Sequence, residues 1–190
     1  MTLHAVNYAL FENNVAYNNM GHAYFMEDGV EHDNTVRYNL AIKTKIASSL
    51  LSVDQTPTSF WIVNTINRYY GNHAAGAAGF GFWINPPMHS TGSNVNSEFC
   101  PREIPILEFR DNTAHSCGVY GMWIFEDYNP RKNNFNGECG SSAGLAGADH
   151  PMKNFIAWKK HRGVELTSVT GVHMKGFVAA DNELSQLACK

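Results

Sequence analysis

One arrangement of apolar and polar positions returns along this chain. Phe11-Glu-Asn-Asn14-Val-Ala16, Tyr69-Tyr-Gly-Asn72-His-Ala74 and Phe109-Arg-Asp-Asn112-Thr-Ala114 each place an aromatic residue, an asparagine three positions later and an alanine two beyond that. A second segment follows each at a fixed distance, with Ala23-Tyr24-Phe25, Gly81-Phe82-Trp83 and Gly121-Met122-Trp123 in equivalent places. Shifts of 58 and 40 residues superimpose all of these without gaps. Val36-Arg37-Tyr38-Asn39-Leu40 also repeats Val15-Ala16-Tyr17-Asn18-Asn19 after 21 residues, which predicts a bare coil of that length.

Short strands of alternating character that recur in this way stack in register, so that like residues pile upon like in successive coils. The pattern predicts an all-β chain: one right-handed parallel β-helix over residues 1–190, with long inserted loops. Asn14, Asn39, Asn72 and Asn112 are predicted at one recurrent corner, where asparagine accepts a left-handed backbone angle and hydrogen-bonds to its counterpart in the next coil. Ala16, Ala74 and Ala114, with Ala23, Gly81 and Gly121, are expected to face a narrow interior. Phe25, Trp83 and Trp123 form an aromatic position read as interior or partly buried, with the outer face as the alternative.

Three segments read as loops: Lys45 to Ser59, Asn85 to Pro105 and Asn133 to Pro151, marked by Thr56-Pro57-Thr58, Pro86-Pro87 and four glycines from Gly137 to Gly147. Long ordered loops are more often functional than idle. Phe155-Ile-Ala157-Trp158 and Met174-Lys-Gly-Phe177-Val-Ala179 read as two further, degraded coils.

Composition, at 44% hydrophobic and 16% charged over 190 residues, is that of one globular domain. A net charge of -3, with 14 lysines and arginines spread along the chain, gives no footprint for nucleic acid or anionic membrane. The first residues lack the order of a signal peptide and no apolar run is long enough to span a bilayer, so the chain is expected to be intracellular or a piece of a larger protein, with no direct membrane insertion. Asn-x-Ser/Thr is absent, which weighs mildly against an extracellular site. Cys100, Cys117, Cys139 and Cys189 show no metal-binding spacing, and their pairing is left open. Gly76-Ala-Ala-Gly79-Phe-Gly81 is explained by the repeat as interior and turn positions rather than as a phosphate cradle.

The phrases between the beats carry a resemblance. Gly21-His22-Ala-Tyr-Phe-Met-Glu27-Asp28-Gly29, Thr56-Pro57-Thr-Ser-Phe60-Trp61-Ile62, Gly79-Phe80-Gly81-Phe82-Trp83, Asn112-Thr113-Ala114-His115-Ser116 and Tyr120-Gly121-Met122-Trp123-Ile124-Phe125-Glu126 stand in the order found in the β-helix region of the fibrocystin and fibrocystin-L family. The region is shared, less closely, with the cell-migration-inducing and transmembrane hyaluronidases. The resemblance implies a stretch of a large surface protein whose ectodomain of immunoglobulin-like repeats, G8 domains and β-helices lies on the extracellular face of the plasma membrane. Cys100 and Cys139 stand where similar family segments carry cysteines, whereas Cys117 stands where another residue is expected.

Candidate chemistry gathers at His22, Glu27, Asp28, Glu31, His32 and Asp33. His22, Glu27 and Asp28 are the candidate catalytic residues if the chain is a glycoside hydrolase acting on hyaluronan, because paired carboxylates about 5–10 Å apart supply acid and nucleophile. Consecutive residues in extended structure diverge, however, and the fibrocystins retain the phrase without catalysis. The favoured reading is therefore a non-enzymatic scaffold and recognition module for an extracellular glycan or protein ligand, with Asp28-Gly29 as a turn. Trp83, His89 and Trp123 are the candidate ligand-binding residues, aromatic platforms for a sugar. No cofactor is expected; calcium or zinc at Glu27, Asp28, His32 and Asp33 is a lesser alternative. His115 and Ser116, read as neighbours in one strand, are expected to point apart and not to hydrogen-bond.

Overall fold

The computed structural model describes residues 1–48, 55–131, 139–140 and 150–190. Among them the chain winds through three parallel sheets in a fixed order, making six coils after a short leading strand, Thr2–Leu3. The first sheet stacks Leu10–Glu12, Thr35–Arg37, Arg68–Tyr70, Glu108–Arg110, His150–Lys153 and Val172–Lys175. The second stacks Val15–Tyr17, Leu40–Ile42, His73–Ala75, Thr113–His115, Ile156–Trp158 and Val178–Ala180. The third begins with Thr2–Leu3 and continues through Tyr24–Met26, Thr58–Ile62, Phe80–Ile84, Tyr120–Ile124, Arg162–Leu166 and Ser185–Cys189. This is a parallel β-helix, and the two degraded coils are both present.

Register sorts the core by sheet. Phe11, Val36, Tyr69, Phe109, Met152 and Met174 share one column of the first sheet. Ala16, Ala41, Ala74, Ala114, Ala157 and Ala179 share one of the second. Tyr24, Phe60, Phe82, Met122, Val164 and Leu187 share one of the third. Large side chains of the first and third sheets fill the interior, and the alanine column leaves room for them. Glycine is required within the third-sheet strand beside it: a Cβ on Gly81 would lie 2.6 Å from the Gly121 carbonyl oxygen and 2.7 Å from Ala114 Cβ.

The shifts of 58 and 40 residues match this register, but the 21-residue shift does not. Ala16 stacks on Ala41 and Val36 on Phe11, so the first two coils are offset by 25 positions. Val15 belongs to the second sheet and Val36 to the first, and their matching phrases turn different corners.

Asn14, Asn39, Asn72 and Asn112 form a continuous ladder, each Nδ2 donating to the next Oδ1 at 2.9 to 3.1 Å. The left-handed angle expected of them lies one residue earlier, at Asn13, Tyr38, Gly71 and Asp111, with φ from 55° to 65°. The preceding residue turns the chain, which leaves the asparagine side chain to bond between coils. Register puts Phe155 and Phe177 next in the column, and there stacked rings 6.4 Å apart replace the amides. A second, shorter ladder joins Asn34 to Asn67, whose Oδ1 accepts the Asn34 backbone N–H at 2.8 Å.

The loop boundaries shift. Thr58 and Ser59 are buried strand residues, and Pro151 likewise begins inside a strand. Residues 49–54, 133–138 and 141–149 of the expected loops lie outside the described residues. The segment from Asn85 to Pro105 carries two short 3-10 turns, Gly92–Asn94 and Pro101–Glu103. A Cys100–Cys139 disulfide pins it, beside a buried ion pair of Arg131 with Glu103 at 2.6 Å. Among the described residues no helix is long and apolar enough to cross a membrane.

Candidate functional site

The third sheet presents an aromatic row on the face opposite the interior column. Ring contacts of His22 with Phe25, Phe80 with Trp83 and Tyr120 with Trp123 show that residues three apart share this face. The pairs His22 and Phe25, Thr58 and Trp61, Phe80 and Trp83, and Tyr120 and Trp123 therefore stack in adjacent coils. Trp61 and Trp83 have ring centroids 4.6 Å apart, and Trp83 and Trp123 4.8 Å. His22 rests on this row, 4.6 Å from Trp61 and 4.8 Å from Phe25. Mutual packing buries Trp83 to 8% exposure, while Trp123 stays half-buried and its Nε1 donates to Thr167 Oγ1 at 3.4 Å.

At the first coils the row opens into a cleft of about 280 Å³, with Phe25, Trp61 and Val63 as apolar lining and Glu27, Asn85, Pro87 and Thr91 as rim. The Asn85-to-Pro105 loop supplies one wall. Thr91 N–H donates to the Asp28 carbonyl at 2.8 Å, Asn94 Nδ2 donates to Asp28 Oδ2 at 3.1 Å, and Pro87 and Pro101 abut Gly29.

Glu27 and Asp28 do not simply diverge. Both carboxylates meet the His4 imidazole, Glu27 Oε2 at 3.0 Å from Nε2 and Asp28 Oδ1 at 3.7 Å from Nδ1. Asp28 is buried, and Glu31 behind it is fully buried, accepting the Asp28 and Gly29 N–H groups at 2.9 and 2.8 Å. The turn at Asp28-Gly29 is thus held by a carboxylate from its own coil. His4 has no sequence signal, since it reaches the site only by stacking.

The structure brings Glu27 to the cleft, sets His22 on its aromatic floor and places Asp28 behind Glu27. Trp83 and Trp123 continue the row but lie outside the cleft lining, as does the half-buried His89, whose buried Nδ1 finds no hydrogen-bond partner among the described residues. Glu27, Asp28, His32 and Asp33 do not converge: His32 Nδ1 faces Asp33 at 3.0 Å, its ring meets Tyr8, and Asp33 faces Arg68 at 3.8 Å. No cluster of three or more histidine, cysteine or acidic side chains suited to a metal ion occurs among the described residues.

The second sheet carries another cluster on its outer face. His115 stacks on Trp158 at 4.5 Å and meets His73 edge-on at 5.0 Å. Burial holds the His73 imidazole below its ordinary pKa, and Lys160 adds to this. His115 is lowered by burial first, then by His73, Lys160 and Lys159. His115 Nδ1 and Ser116 Oγ lie 3.1 Å apart, contrary to the expectation that they point apart, because Ser116 leaves the strand at a left-handed angle of 55°.

The aromatic row as far as Tyr120, and the Gly21-to-Gly29 phrase, fall inside residues 1–122, the part of the chain that the CEMIP beta-helix family model matches. The chain belongs to the CEMIP β-helix family. It is 35% identical to fibrocystin-L of Mus musculus over its whole length, and to fibrocystin-L of Homo sapiens over 96% of it. Both matches cover 4% of the relative, so the chain spans a small part of either fibrocystin-L. Communication mutant protein F of Dictyostelium discoideum is 35% identical over 72% of the chain, covering 14% of that protein. Across the CEMIP β-helix segment lie the cleft floor, Glu27, Asp28 and the asparagine ladder; the second-sheet cluster extends beyond it through Trp158.

Proposed function

We propose that this chain is a β-helix scaffold and recognition module of a fibrocystin-L-like surface protein, acting at the extracellular face of the plasma membrane without catalysing a reaction. The ligand is a glycan, and the observation that carries this is the cleft beside Glu27. Phe25 and Trp61 offer apolar rings to the C–H face of a pyranose, and the Glu27 carboxylate, Asn85 and Thr91 offer acceptors and donors to its hydroxyls. Fixed strands and a disulfide-pinned loop position these groups before the ligand arrives. With the Glu27 carboxylate and, among the described residues, no cation at its rim, the cleft suits a neutral sugar better than a polyanion.

A second reading, binding or hydrolysis of hyaluronan, draws on the convergence of Glu27 and Asp28 at His4. Titration of the chain with neutral oligosaccharides and with hyaluronan fragments, read by calorimetry and tryptophan fluorescence, separates the two. Binding of a neutral sugar that Glu27→Gln weakens at least tenfold supports the proposal. Binding of hyaluronan alone, or of neither ligand class, overturns it.

A further inference from the structure

Lys160 is a lysine inside the solenoid. Register pairs His115 with Trp158, and past the turn that follows, Lys160 interacts with Cys117 of the adjacent coil. Both side chains are sealed from solvent, Lys160 at 2% and Cys117 at 3% exposure. The stem of Lys160 runs inward over Gly121, its Cδ lying 3.1 Å from where a Cβ on that residue would stand. Among the described residues no oxygen or nitrogen accepts from its Nζ, and Cys117 is a free thiol. Burying an ammonium without a carboxylate is costly, so this position favours the neutral amine. Burial indeed pulls Lys160 below the ordinary lysine pKa, the Cys117 sulfur opposing it by a smaller amount.

Once it gives up its proton, an amine held against a thiol in a dry interior is a nucleophile facing an oxidisable sulfur. We propose that Cys117 and Lys160 form a covalent Sγ–Nζ bond on oxidation by a hydroperoxide, a coil-to-coil crosslink within the fourth and fifth turns of the helix. In the first step the peroxide O–O bond breaks, the thiol is oxidised by two electrons to a sulfenic acid, and the peroxide is reduced to its alcohol or, for hydrogen peroxide, to water. In the second, the Nζ lone pair attacks Sγ and the S–O bond breaks. The departing hydroxide takes one proton from nitrogen and leaves as water. Small oxidants reach such sites through local opening of the coil, and the amine captures the sulfenic acid before a second peroxide does. The crosslink is independent of the glycan cleft, which lies on the third sheet at the first coils.

Peptide mass mapping of the full chain after treatment with hydrogen peroxide tests this, with exposed Cys189 as the internal control that oxidation occurred. The expected product joins the Cys117 and Lys160 peptides at two hydrogens below their combined mass, and a thiol reductant reverses it. It is absent from Lys160→Met and from Cys117→Ser, each checked for the wild-type circular dichroism spectrum. The wild-type map decides the matter even if a variant does not fold. A dimedone adduct or sulfinic acid at Cys117 with Lys160 unmodified overturns the proposal. So does an unmodified Cys117 in a sample where Cys189 is oxidised.

Discussion

Asn72 Nδ2 donates to Asn112 Oδ1 at 3.1 Å, and the same oxygen accepts the Asn72 backbone N–H at 3.0 Å. One amide oxygen therefore fastens both the side chain and the main chain of the coil before it. Asn72 repeats the service for Asn39, and its own Nδ2 also reaches the Val36 carbonyl at 2.8 Å. Replacing Asn72 by Leu strands several buried donors and acceptors at once. Its expected cost is about 3 kcal/mol. Asn14, the first rung among the described residues, donates to Asn39, and Asn14→Ala is expected to cost about 1 kcal/mol. Urea unfolding of the two variants checks the order; equal losses would show that the ladder contributes no stacking stability.

The clasp at the loop is the second point of leverage. Cys100 and Cys139 close a separation of 39 residues. Loss of such a link costs about 4 kcal/mol in the chain-entropy account. Cys100→Ser with Cys139→Ser is therefore expected to lower the melting temperature and to loosen the wall that carries Thr91 and Asn94 against Asp28. Protease nicking between Asn85 and Pro105, faster in the double variant than in the wild type, is the direct readout. Unchanged nicking would assign the wall's rigidity to the Arg131–Glu103 pair instead.

Acid sensitivity follows from the second-sheet histidines. His73 and His115 are held below their ordinary pKa in the fold, so the unfolded chain takes up these protons first. Their neutral forms carry no penalty above about pH 6.5. Stability is then lost as pH falls through that value toward the lowered folded values. Thermal melts between neutral and mildly acidic pH are expected to show this slope, and His73→Gln with His115→Gln to flatten it. A slope that survives the double substitution would place the acid-sensitive groups elsewhere.

The solenoid is legible in the sequence because parallel stacking forces chemically similar residues into columns, as Tyr69, Phe109 and Ala74, Ala114 do. The same logic misleads where a phrase recurs across different corners, which is why Val15 and Val36 suggest a 21-residue coil. Asn34 and Asn67 escape notice because their neighbours share no motif; only hydrogen bonding relates them. At the cleft, Glu27 and Asp28 are visible as a carboxylate pair, yet their meeting at His4 depends on a contact between coils. The aromatic row is visible too, but its exposure is not. Neighbouring rings bury Trp83, whereas the loop wall leaves the space open beside Phe25 and Trp61.

The acidic pair sets the last prediction. Hydrolysis of a glycosidic bond needs one carboxyl group to protonate the leaving oxygen and another to attack or to activate water, with the sugar between them. Here the imidazole of His4 occupies the place between Glu27 and Asp28, and Asp28 is buried with one oxygen accepting from Asn94. Glu27 faces the cleft, whereas Asp28 is not among the cleft's lining residues. A sugar on the Phe25 and Trp61 floor therefore meets one carboxylate and not two. The chain is expected to leave high-molecular-weight hyaluronan at its starting length at neutral and mildly acidic pH, with or without calcium, as read by gel mobility. Asp28→Asn is expected to preserve sugar binding, while Glu27→Gln weakens it. Shortening of the polymer by the wild-type chain, abolished by His22→Ala or Asp28→Asn with the fold intact, would replace the recognition reading with a hydrolytic one.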